Sequence, residues 1–273
     1  MNRSLDAVTG SIATLNARRF RERFERELAA NRFVLFVQSI VPVATGADAG
    51  YREILIRYKD EERNMQSPGT FLLVLEEQGL MPLLDRWIVS RVLKWIRQRD
   101  PGLDAGHLPR CSVNLSASTL QDHSAFAGYV QQEMRGLAGV REPLSFEVSV
   151  TDILSHSKDL ARLAPALRSC GCTFSLSNYE GDDRSFDLAR SLGFSIVKFD
   201  GSVLARLADD ALARTRLETL ARRCAGYGLG TVATHVESPE TLPILESLGV
   251  DYAQGFGVDR PGLLAFRDSS GID

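Results

Sequence analysis

The sequence predicts an α/β fold, a (β/α)8 TIM-type barrel with one antiparallel strand from an initial hairpin. Three observations predict it. Short β-patterned runs alternate with helical ones through most of the chain, and eight such strands can be counted. Only Pro42 to Gly50 separates the first two, which is too short for a crossover helix, so that pair is an antiparallel hairpin. The stretch from Gly171 to Asp200 reads as strand, helix, strand, a unit that brings strand C-terminal ends to one rim, where ligands bind. At 273 residues, 44% of them hydrophobic, the chain is large enough for one such domain. An open doubly wound sheet is the structural alternative, and no GxGxxG follows a strand to support its nucleotide-binding version.

The elements follow in order. Met1 to Gly10 reads as a loose tail. Leu15 to Asn31 is a helix whose Phe20, Phe24 and Leu28 make one apolar stripe, the mark of a helix packed on the outside of the domain. Phe33 to Val41 and Tyr51 to Tyr58 are the hairpin strands. Ser67-Pro68-Gly69 opens a helix that runs to Gln78 and stops at Gly79, because proline fits the first turn and glycine the end. Pro82 to Arg97 is a second helix, with Trp87 and Trp95 as packing residues. Strands at Arg110 to Leu115 and Pro143 to Val148 alternate with helices at Ala125 to Leu137 and Lys158 to Ser169. Cys172 to Leu176 and Phe194 to Phe199 are strands flanking a helix at Asp183 to Leu192. A long helix from Asp209 to Gly226, a strand at Leu229 to Ala233, a helix from Ser238 to Leu248 and a short strand at Asp251 to Gln254 complete the pattern.

Composition excludes several functional classes. The net charge is −3, with 32 basic and 35 acidic residues interspersed, so no block suggests a nucleic-acid arm or a membrane patch. No apolar run is long enough to span a bilayer and the N-terminus lacks a signal-peptide layout, so a reduced, cytoplasmic protein is expected. Cys111, Cys170, Cys172 and Cys224 fit no zinc spacing, and His107, His123, His156 and His235 form no metal motif.

In a barrel of this type chemistry sits at the strand C-terminal ends. Those ends supply Glu53 and Arg57, Asn114, Glu147, Ser177 and Asn178, Lys198, Thr234 and Glu237, and Gln254. Oxygen donors such as Glu and Asn suit Mg²⁺, Mn²⁺ or Ca²⁺, and Arg57 and Lys198 suit a phosphate. Each residue alone is explained by a surface or loop role, and only convergence on one rim makes a ligand site.

Ordered motifs give the chain a family resemblance. Phe36-Val37-Gln38-Ser39-Ile40-Val41 matches a YQPIV stretch, and Glu53-Ile54-Leu55-Ile56-Arg57-Tyr58 matches EALLRW. Pro68, Phe71, Glu76, Gly79 and Leu80 match the run that follows it. Ser112-Val113-Asn114-Leu115-Ser116 matches VNLS, Val197-Lys198-Phe199-Asp200 matches a lysine strand, and Gln254-Gly255-Phe256 with Pro261 matches a QGY…P ending. From about Arg32 to Leu264 the sequence resembles the EAL domains, which include the cyclic di-GMP phosphodiesterases. The resemblance implies residues 1–31 as tail and helix, 32–264 as the barrel domain and 265–273 as a C-terminal tail. It implies a ligand site of Gln38, Glu53, Leu55, Arg57, Asn114, Glu147, Lys198, Glu237 and Gln254.

The chain departs from active members at three strands. Val150 stands where E-x-T-E places its second acid, Ser177 and Asn178 where two adjacent aspartates stand, and Thr234-His235 where A-E-G-V-E has Glu-Gly. Of the family's acidic positions only Glu53, Glu147 and Glu237 remain. A two-metal phosphodiesterase bridges cations about 3.5–4 Å apart with carboxylates, and neutral side chains cannot screen that repulsion. The metal set of Glu53, Asn114 and Glu147 is therefore vestigial, as are the catalytic Lys198 and Glu237. The expectation is a catalytically inactive receptor or regulator in cyclic di-GMP signalling. It needs no cofactor, with Mg or Mn relevant only to residual activity. Cyclic di-GMP is the candidate ligand, a protein partner is expected and a homodimer is compatible with the resemblance. A protein-interaction module that binds no nucleotide and a weakly active phosphodiesterase are the alternatives.

Overall fold

The computed structural model describes residues 17–98, 109–137, 142–207 and 210–266. The tail expected at Met1 to Gly10 and most of the tail expected from residue 265 lie outside them. Helix α1 spans residues 17–29. Its stripe packs as its spacing requires: Phe24 and Leu28 are buried, and the Phe24 ring meets Phe33 edge-on at 5.3 Å.

The barrel strands are β1 (Phe33–Ser39), β3 (Tyr51–Lys59), β5 (Arg110–Asn114), β6 (Leu144–Ser149), β7 (Thr173–Tyr179), β8 (Ile196–Phe199), β9 (Gly230–Ala233) and β10 (Tyr252–Ala253). From β3 to β10 they are parallel neighbours in chain order. β1 runs antiparallel to β3, with Gln38 opposite Glu53. One residue after β1, the two-residue β2 (Val41–Pro42) pairs with β10. The continuous segment 33–42 thus pairs with β3 at one end of the sheet and with β10 at the other, which joins the two ends. The sequence-predicted fold, including its single antiparallel barrel strand, is the one observed.

Helices cover the outside: α2 (Pro68–Glu77), α3 (Met81–Arg97), α4 (Ala117–Gln121), α5 (His123–Met134), α6 (Val150–Ser155), α7 (Ser157–Arg168), α8 (Asp183–Ser191), α9 (Gly201–Leu204), α10 (Ala211–Gly226) and α11 (Leu242–Ser247). Trp95 is buried on α3 and its indole donates to the Ala265 carbonyl at 3.0 Å, fixing the segment around that residue. The same segment adds the short β11 (Gly262–Leu263) to the outer side of β1. A further short strand, β4 (Met65–Gln66), extends β3.

The structure corrects several bounds. β7 continues through Ser177, Asn178 and Tyr179, which the sequence places in a loop, and its register with β8 shifts between Leu176 and Tyr179. α6 begins immediately after its strand, and α4 after two intervening residues. Each has a serine at its N-cap: Ser116 accepts from the Thr119 amide and Ser149 from the Asp152 amide. Val150 therefore starts a helix. The helix expected from Ser238 opens as one tight turn (Pro239–Thr241) before α11. The last barrel strand is two residues long, because Gly255 and Gly257 lie flat on the preceding loop: a Cβ on Gly255 would fall 2.2 Å from the Val236 carbonyl oxygen.

Candidate functional site

A cavity of about 470 Å³ opens at the C-terminal ends of the strands. That size suits a small-molecule ligand. All the expected ligand residues line it: Gln38, Glu53, Leu55, Arg57, Asn114, Glu147, Lys198, Glu237 and Gln254. They come from β1, β3, β5, β6 and β8 and from the loops after β9 and β10. Closure of the barrel brings them to one mouth.

The floor is one bonded network. Lys198 is 2% exposed, and its Nζ donates to Glu53 Oε2 at 2.6 Å and to Glu147 Oε2 at 2.7 Å. The second Glu53 oxygen accepts from Asn114 Nδ2 at 3.1 Å. Gln254 Nε2 donates to Glu53 Oε2 at 2.7 Å and to Gln38 Oε1 at 3.0 Å. Gln38 in turn donates to the Asp259 carbonyl at 2.8 Å, and the Ser112 hydroxyl to Glu147 at 3.1 Å. The remaining Gln254 oxygen is buried without a partner.

Burial and pairing set the charges of this floor. Burial pushes the Glu53 carboxyl up, but the Lys198 charge and the donors Gln254 and Asn114 outweigh it and hold it below its ordinary value. Glu147 lies above its ordinary value, because burial and the Glu53 charge together exceed what Lys198 returns. Burial opposes the Lys198 charge, yet its two carboxylates hold the ammonium protonated. One cation is thus shared by two carboxyls, one of which resists ionisation.

The rim differs in kind. Ser177 is buried at the register shift, while Asn178 is exposed and adopts a left-handed φ of 56°. Asn tolerates that conformation better than most residues. The Thr234 hydroxyl is spent on the Phe199 carbonyl at 2.7 Å. His235 has φ 58°, where glycine is the relaxed choice, and its ring lies against Gly201, where a Cβ would come within 3.0 Å. Arg57 lines the mouth, half-buried, with its guanidinium donating to the Ile56 carbonyl and facing the Phe36 ring at 5.9 Å. Asp182 at the N-cap of α8 and Asp183 in its first turn are engaged elsewhere. Asp182 caps α8 through the Ser185 amide, and Asp183 pairs with Arg223.

Sequence reasoning missed Asp152, which lines the cavity from the first turn of α6 and accepts from the Ser149 hydroxyl at 2.6 Å. A signal was present, since an acid stands two positions after Val150, where the resemblance leads one to expect an acid. It also missed Asp259, whose carboxylate receives the Ser39 amide at 2.9 Å and whose carbonyl orients Gln38. Among the described residues, no three His, Cys, Asp or Glu side chains gather as a metal cluster. None of their helices is long and apolar enough to cross a membrane.

Comparison with known proteins gives consistent matches. The family model for the EAL domain matches residues 21–261. Cyclic di-GMP phosphodiesterase PdeB of Shewanella oneidensis is 25% identical over 250 residues, covering 92% of this chain and 29% of that protein. Cyclic di-GMP phosphodiesterase PdeF of Escherichia coli is 26% identical over 239 residues, covering 88% and 31%. The chain thus spans about a third or less of the length of these relatives. Among solved structures, the FimX EAL domain of Pseudomonas aeruginosa bound to c-di-GMP superposes with a TM-score of 0.78 at 24% identity, covering 89% of this chain and 95% of that one. The FimX EAL domain of Xanthomonas citri in complex with c-diGMP gives 0.78 at 21%, covering 94% and 99%.

Proposed function

From the premise that the chain belongs to the EAL domain family, we propose that it is a receptor or regulator in cyclic di-GMP signalling that binds the dinucleotide without hydrolysing it. The observation that carries this reading is Lys198, held at 2.6 and 2.7 Å from the two buried carboxylates of the floor. Those carboxylates are already neutralised in part. The positions that would add anionic charge are filled by Val150, Ser177, Asn178 and Thr234. Two divalent cations about 3.5–4 Å apart need bridging carboxylates between them. The donor set here does not fit such a pair: the Thr234 hydroxyl points to a backbone carbonyl, and Asp182 and Asp183 are held by α8 and Arg223. Asp152 is the one added carboxylate, and it sits on α6 with Ser149 bonded to it.

Recognition of an anionic diester does not depend on those metals. Arg57 presents a planar donor fork at the mouth. Asn114, exposed at the mouth, offers its amide, and the Gln254 oxygen is the one acceptor that the floor network leaves without a partner. Loss of carboxylates also weakens the repulsion an entering phosphate meets. The named relatives support the choice of cyclic di-GMP as ligand. A protein partner that reads occupancy belongs to the same proposal.

Calorimetric titration with cyclic di-GMP in EDTA tests the binding half, and product analysis in Mn²⁺ tests the rest. Saturable heat without linear pGpG is the expected pair of results. Linear pGpG that disappears in Glu53→Ala identifies a phosphodiesterase and overturns the proposal. Absence of heat and of any thermal shift also overturns it, and points to a module that acts only through protein contacts.

A further inference from the structure

The end of the barrel opposite the cavity carries a second chemistry-bearing group. α7 ends at Arg168, and the chain turns through Ser169, Cys170, Gly171 and Cys172 into β7. Backbone bonds hold this turn on the last residues of α7: the Gly171 amide donates to the Arg168 carbonyl at 3.0 Å and the Cys172 amide to the Leu167 carbonyl at 3.2 Å. Both cysteines are thereby drawn together, with 3.9 Å between their sulfur atoms. The Cys170 thiol also reaches the Leu167 carbonyl at 3.0 Å.

The two thiols are unequal. Cys170 is half-buried beside the exposed Gly171, whereas Cys172 is 2% exposed. The contact with Cys172 holds the Cys170 thiol down to about 7, and the same contact with burial pushes Cys172 up. Cys111 and Cys224 are both fully buried. A solvent-borne reagent therefore meets Cys170 first, with a second sulfur, that of Cys172, 3.9 Å away.

We infer that Cys170 and Cys172 form a modification site for peroxide-class oxidants, with Cys170 the attacking thiol and Cys172 the resolving one. The Cys170 thiolate attacks one peroxide oxygen and the O–O bond breaks. The leaving hydroxide takes a proton and departs as water, which leaves a sulfenic acid on Cys170. The Cys172 sulfur then attacks the Cys170 sulfur, the S–O bond breaks, and the hydroxyl leaves as a second water with the Cys172 proton. Two thiols and hydrogen peroxide become one disulfide and two waters, with two electrons passing from sulfur to oxygen. Closing the sulfurs to about 2.05 Å needs a modest side-chain rotation. The turn can absorb it, because Gly171 has φ 88° and no atom within 4 Å of where its Cβ would stand.

The test uses the full chain, reduced and then treated with hydrogen peroxide, followed by mass analysis of the tryptic peptide Ser169–Arg184. The expected peptide loses about 2 Da, the two hydrogens of a disulfide, and regains them with dithiothreitol. Cys170→Ser abolishes that loss and slows peroxide consumption by about tenfold or more. Cys172→Ala, which replaces a buried thiol with a small apolar side chain, stops the reaction at a Cys170 sulfenic acid that dimedone traps. Circular dichroism verifies that each variant is folded. A wild-type peptide that stays reduced, or that accumulates sulfenic or sulfinic acid on Cys170 without the bridge, overturns the assignment. So does oxidation of Cys111 or Cys224 at an equal rate.

Discussion

The floor and the rim of the cavity come from neighbouring strands of one barrel, the floor from β1, β3, β6, β8 and the residue after β10 and the rim from β7 and the loop after β9, yet they are built on different principles. The floor residues Gln38, Glu53, Glu147, Lys198 and Gln254 are each less than a tenth exposed and bonded to one another. The rim residues Asn178, His235 and Glu237 are exposed. At the floor a single change strands a buried charge, which costs several kcal/mol. At the rim water compensates for most changes.

The floor is the first place to break that contrast. Lys198→Met leaves Glu53 and Glu147 buried side by side without their cation. The expected loss is roughly 3–5 kcal/mol in urea unfolding. A loss below about 1 kcal/mol means that water, not Lys198, satisfies those carboxyls, and the floor is then no different from the rim.

Asp85 sharpens the same point away from the cavity. It is 2% exposed on α3, with its carboxylate accepting from the Ser116 hydroxyl at 2.7 Å and the Ser116 amide at 3.1 Å. Burial outweighs those donors and raises its carboxyl from 3.8 to about 6. The raised value means that the folded state takes up this proton before the unfolded state does. Asp85 therefore destabilises the fold above pH 6, and that penalty is relieved as the pH falls from there toward about 4. Asp85→Asn removes the titration while keeping an acceptor for Ser116. Relative to wild type, its stability advantage at pH 8 is expected to exceed that at pH 4 by roughly 2–3 kcal/mol. A pH-independent difference contradicts the assignment.

The rim predicts smaller effects of opposite sign. Introducing acids with Ser177→Asp, Asn178→Asp and Thr234→Glu is expected to raise Mn²⁺ affinity by about tenfold or more, since hard cations follow carboxylate count. Unchanged affinity would show that the register shift of β7, rather than charge, governs the rim. His235→Gly relieves a left-handed residue and is expected to stabilise the fold by about 1 kcal/mol in thermal unfolding. Destabilisation would mean that the ring's contact with Gly201 outweighs the strain.

The barrel and its floor were legible in the sequence because long-range order follows from strand count, hairpin spacing and strand-end residues. Glu53, Asn114, Glu147, Lys198 and Gln254 could be placed on one rim before any coordinates. Short elements were not legible. α6 is six residues with no room for an apolar period, so Val150 reads only as a lost acid and Asp152 passes unnoticed. β7 extends through Ser177 to Tyr179 because its neighbours offer pairing partners, a tertiary cause that no local pattern encodes. β11 is two residues whose only reason is the open side of β1.

The central claim is that a floor already neutralised in part by Lys198, beneath a rim that carries Ser177, Asn178 and Thr234, does not hold a pair of divalent cations. Calorimetric titration of the folded chain with Mn²⁺ at pH 7.5, read for stoichiometry, tests it most directly. The account predicts no saturable heat from two ions per chain at concentrations up to about 1 mM, a range in which carboxylate-rich protein sites fill. Two ions per chain binding at micromolar concentration, with the heat lost in Glu53→Ala, would contradict it.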